Sequence, residues 1–76
     1  MKGSLERLSN KLSLFGFYVS KNGDSISVCK CDRKVSIKEL KPYLRIIIGA
    51  GYTKMFEMEL VSSRNDYIII REKSNG

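Results

Sequence analysis

The chain has 76 residues and a mass of 8.7 kDa, room for one domain with one core and no long catalytic lid. Its composition, 42% hydrophobic and 29% charged, excludes the charge-dominated class of disordered segments. Fourteen Lys and Arg against eight Asp and Glu give +6, the electrostatic signature of a polyanion binder, and the absence of His removes the commonest general base and metal ligand.

We therefore expect a single basic domain over residues 1–76, without enzymatic activity or cofactor. From Ser4, the residues Leu5, Leu8, Leu12 and Phe15 recur at helical spacing with Glu6, Arg7, Asn10 and Lys11 between them. This predicts an amphipathic helix over about residues 5–15. Ser4 is expected to cap its first turn and Gly16 to supply a left-handed stop. Phe17–Ser20 and Ser25–Cys31 then alternate around Asn22-Gly23. That pattern predicts a hairpin with a tight turn at those two residues and with Phe17, Val19, Ile26 and Val28 inward.

Ser36-Ile37-Lys38-Glu39 reads as a capping box opening a second helix. Its stripe is Ile37, Leu40, Leu44, Ile47 and Ile48, and Pro42 is expected to kink it. The β-branched run Ile46-Ile47-Ile48 also fits a short buried strand. Gly49-Ala50-Gly51 stops the element and lacks the lysine and the spacing of a phosphate loop. Lys54–Val61 alternates, with Phe56, Met58 and Leu60 inward, and Tyr67–Lys73 resumes after the Ser62–Asp66 loop, predicting a second hairpin.

The halves also resemble each other. Ser4–Leu8 lies over Ser36–Leu40 at an offset of 32, while Val19-Ser20 and Asp24–Ile26 lie over Val61-Ser62 and Asp66–Ile68 at 42. The expected fold is α+β, an αββαββ two-layer sandwich: a four-stranded antiparallel sheet with two helices on one face.

Residues 1–41 hold nine basic and four acidic residues, residues 42–76 five and four. Lys30, Arg33, Lys34, Lys38, Lys41 and Arg45 concentrate the excess. With the amides of the second helix's first turn, they form the candidate phosphate-binding surface. The open sheet face is expected to carry Tyr18, Ser20, Ser25, Ser27, Cys29, Cys31, Glu57, Glu59, Tyr67, Ile69 and Arg71. Tyr18 and Tyr67 are candidate base-stacking residues there, with Arg71 facing sugar or phosphate. Against this, Glu57 and Glu59 repel phosphate, and Tyr18, Tyr67, Ile69 and Val61 equally suit the apolar centre of a protein interface.

Cys29 and Cys31 are too few for a closed zinc site, and a disulfide across one residue is strained, so reduced thiols in the cytoplasm and no metal are expected. No apolar run is long enough to span a membrane. The strands lack the aromatic-rich signature of the RNA recognition motif, and no helix-turn-helix spacing stands out. Two functions follow. The first is a non-catalytic nucleic-acid binder, for RNA in preference to DNA, such as an accessory ribosomal protein. The alternative is a small protein-interaction module, a homodimer or a virus- or plasmid-encoded inhibitor, working through the open sheet face.

Overall fold

A computed structural model describes residues 3–62, 64 and 66–73. It shows the expected α+β sandwich with one added helical turn. The elements in order are α1 (Gly3–Leu14), β1 (Tyr18–Asn22), β2 (Ser25–Cys29), α2 (Ile37–Ile47), α3 (Tyr52–Met55), β3 (Phe56–Val61) and β4 (Tyr67–Glu72). The four strands form one antiparallel sheet in the order β1-β2-β4-β3. Leu5, Leu8 and Leu12 of α1 and Leu40 and Leu44 of α2 pack with Ile26, Val28, Ile68 and Ile70 of the two central strands. Phe17 and Phe56 close the core at its margins, each almost fully buried.

Ser4 lies inside α1 rather than capping it. At the other end Gly16 does what was expected, with φ +94°. Its N–H donates to the Ser13 carbonyl and that of Phe17 to the Leu12 carbonyl, both at 3.1 Å, the paired pattern of a Schellman stop. Phe15 is 44% exposed rather than part of the core. Its ring instead meets Tyr43, with centroids 5.2 Å apart.

The first hairpin turns one residue later than the sequence suggests. Asn22 pairs with Ser25, so Gly23 and Asp24 are the central residues. Gly23 has φ +60° and no non-glycine residue is positive among those described. Glycine first with a negative φ after it is the primed turn of the second kind, which glycine alone accommodates without strain.

Ser36 caps α2, its hydroxyl accepting from the Glu39 N–H at 3.2 Å. The helix continues past the exposed Pro42 to Ile47, with Ile48 as its C-cap. Ile46-Ile47-Ile48 is therefore helical, not a strand. Residues 52–55, expected partly as connection and partly as strand, form α3. This turn buries Tyr52, and β3 begins only at Phe56. Leu60 lies on the helix side of the sheet, opposite Ile68, yet is 42% exposed because β3 is an edge strand.

The half-repeat survives in part. At an offset of 32, Leu8 and Leu12 fall on Leu40 and Leu44, and at 42, Ile26 and Val28 fall on Ile68 and Ile70, all fully buried. The same offset fails for β1 and β3, where it places inward Val19 over Val61 on the open face. Five residues separate paired Val61 and Tyr67, against two between Asn22 and Ser25, so β3 instead matches β1 with Met58 at Val19. With β2 and β4 antiparallel at the centre, the two αββ units are related by an approximate twofold axis through the sheet.

Candidate nucleic-acid interface

The six expected cations divide into two neighbouring groups. Lys30, Arg33 and Lys34 line an open depression of about 250 Å³ with Cys31, Asp32, Asp66 and Arg64. Lys38, Lys41 and Arg45 are exposed on α2, and their spacing of three and four residues puts them on one stripe about 10 Å long. Arg64 was not expected. Its charge is isolated in a loop of the second half, and only the fold brings it to the first group.

Two of the six already have work within the fold. Lys30 is half-buried with its ammonium 4.7 Å from the centroid of Phe17, a cation–π contact. Phe17 in turn meets Tyr43 edge-on at 5.0 Å. Arg33 makes a two-point ion pair with the Glu39 carboxylate. That pair changes the expected role of the α2 N-terminus. Ser36 satisfies one first-turn amide and the Glu39 carboxylate supplies the negative charge there, so this end is occupied rather than offered to phosphate. Among the described residues Lys34, Lys38, Lys41 and Arg45 form no ion pair.

The Arg33 hydrogen bond, with a smaller contribution from nearby Lys30, holds the Glu39 carboxyl below its usual value. A carboxylate with a depressed folded pKa stabilises the fold above its unfolded pKa of about 4.3, and the contribution is lost as pH falls through the lower folded value. The wild type should therefore lose melting temperature faster than Glu39→Gln on acidification from about pH 6 to pH 3. The two curves should converge in acid. Parallel curves across that range would show that the pair does not support the fold.

The open sheet face is arranged in cross-strand rows. Asn22, Ser25, Arg71 and Glu57 form one, and Ser20, Ser27, Ile69 and Glu59 the next. Arg71 reaches Glu57 at 3.7 Å and Glu59 at 3.4 Å, so its charge is spent on its neighbours rather than available to sugar or phosphate. Tyr18 is 59% exposed, whereas Tyr67 and Ile69 are half-buried. Tyr18 pairs with Cys29, and Val61 with Tyr67. Cys31 lies beyond the end of β2, yet its thiol is 3.7 Å from the Tyr18 hydroxyl. This contact with Cys31 pushes the Tyr18 hydroxyl above its usual pKa. Both cysteines are free. Among the described residues no group of three or more metal-ligating side chains is assembled, and no helix is long and apolar enough to cross a membrane. Comparison with protein-family models, with curated proteins and with solved structures finds no match to this chain.

Proposed function

We propose that the chain is a non-catalytic nucleic-acid-binding domain that holds phosphates along a surface running from the Lys30–Lys34 loop down α2 to Arg45. The observation that carries this reading is the stripe of exposed, unpaired cations. Lys34, Lys38, Lys41 and Arg45 have no ionic partner among the described residues, while Glu6, Glu39, Glu57 and Glu59 are each tied to a cation. RNA is favoured over DNA. A duplex-reading helix usually brings its first turn to the base edges of the major groove, and here that turn is covered by the Arg33–Glu39 pair. The free cysteines suit a reducing, cytoplasmic setting, and an accessory role on structured RNA, such as that of a small ribosomal protein, fits the positive charge and the lack of histidine.

Titration of labelled single-stranded RNA and duplex DNA at several salt concentrations tests it. With about four phosphates neutralised, log affinity should fall against log salt by near 0.7 per contact for a single strand, or 0.9 for a duplex. No detectable binding even at low salt would overturn the proposal.

A second reading draws on the other face of the molecule. Arg71 is paired with Glu57 and Glu59, which leaves Tyr18, Tyr67 and Val61, with Ile69 in the next row, as an apolar patch suited to a second copy or another protein. Contact of that kind is far less sensitive to salt than a phosphate contact, so the same titration separates the two.

A further inference from the structure

Beside the cationic stripe lies a groove whose chemistry phosphate does not explain. Pro42 and Ile46, one turn apart on α2, form its wall together with Lys41 and Arg45, and the almost fully buried Tyr52 of α3 closes it. The groove holds about 390 Å³, within the range of small-ligand sites, which are likewise mostly apolar with a few polar groups placed around them. Ile46 is 71% exposed. A β-branched apolar side chain left in water beside the cationic stripe contributes little to the core. Such a lining gains from an apolar or flat group that carries negative charge on either side.

We infer that this groove receives one unstacked base of a single-stranded RNA. The inference rests on the phosphate-binding reading above and specifies its substrate. Lys41 and Arg45 stand four residues apart, about 6 Å along the helix axis, and would hold phosphates on the two sides of the inserted nucleotide. The base would lie against Pro42 and Ile46, where the gain comes from apolar contact and is tolerant of sequence. A duplex keeps its bases stacked, and extruding one costs about tenfold or more in affinity. Single strands are therefore preferred, although a duplex carries the denser charge.

The test compares wild type with Ile46→Ala on three probes of equal length: single-stranded RNA, the same backbone lacking bases, and duplex RNA. Because Ile46 is exposed and alanine is the better helix former, the variant should fold normally, which circular dichroism checks. Single-stranded RNA should bind the variant about fivefold or more weakly, with the salt slope unchanged. The abasic strand and the duplex should bind both proteins alike. Equal loss on the abasic strand, or no loss on intact RNA, would overturn the base site while salt-dependent binding by wild type left the phosphate surface standing. Absence of binding by wild type to every probe would remove the phosphate reading itself. If an acidic, leucine-containing peptide binds wild type but not Ile46→Ala, and RNA binding is equal in both, the groove belongs to a protein partner and the inference fails.

Discussion

Replacing Leu12 with alanine should remove about 2 to 5 kcal/mol of stability, the cost of lost apolar burial and of the cavity left behind. A domain of this length has a total of roughly 4 to 11 kcal/mol, so the substitution should remove a large fraction of its stability. Leu12 is chosen because two roles meet there. Its side chain is completely buried between α1 and the sheet, and its carbonyl accepts the Phe17 N–H that closes the helix. Urea or thermal unfolding followed by circular dichroism measures the loss. Leu14→Ala, two residues on but 79% exposed, should change stability by no more than about 0.5 kcal/mol. A similarly small loss at Leu12 would place it outside the core and contradict the packing of α1.

Reversing Lys38, Lys41 and Arg45 together to glutamate should lower affinity for single-stranded RNA by about two orders of magnitude at low salt. It should also flatten the salt dependence by near 0.7 for each phosphate that the variant no longer holds. The three side chains are exposed and unpaired among the described residues, so the fold should tolerate their reversal. Arg33 is left out because its reversal would set two carboxylates against each other at the start of α2. The control reverses Lys11, Lys21 and Lys73, which changes net charge by the same amount at residues outside α2. Of these, Lys21 alone has an ionic partner among the described residues, an exposed contact to Glu6 at 3.4 Å that contributes little. If control and variant lose affinity equally, binding follows overall charge and the surface on α2 is not a site. A partner held through Tyr18, Tyr67 and Ile69 should respond to neither set.

The way the cations are distributed shows how far such a site can be read before folding. The run from Lys30 to Arg45 is visible as a local excess, and three of its members fall on one helical stripe because spacing alone decides that. The sequence does not reveal which charges remain free. Lys30 is drawn over Phe17, far earlier in the chain, Arg33 is taken by Glu39, and Arg64 joins from the far hairpin. The first depends on the closing of the β1–β2 hairpin, the second on how the chain enters α2, and the third on the pairing of β4 with β2. The groove of Pro42, Ile46 and Tyr52 depends on the same assembly, since the turn that buries Tyr52 has only four residues and too little periodicity to be recognised as a helix.

Local chemistry therefore determined the elements. Leucines at helical spacing made α1, Ser36 and the stripe after it made α2, alternation made the strands, and a glycine turn closed the first hairpin, because such signals act among residues a few positions apart. The twofold arrangement was only half legible. The core positions of the helices and central strands match between the halves, but a loop longer by three residues shifts β3 against β1 and reverses which face a naive alignment would assign. Tertiary structure alone decided that β2 pairs with β4, joining Ile26 to Ile70 and Val28 to Ile68. Nothing local specifies that pairing. Both strands alternate and both offer an open edge, so the choice falls to whichever order lets α1 and α2 cover one continuous apolar face, and that is a property of the whole chain.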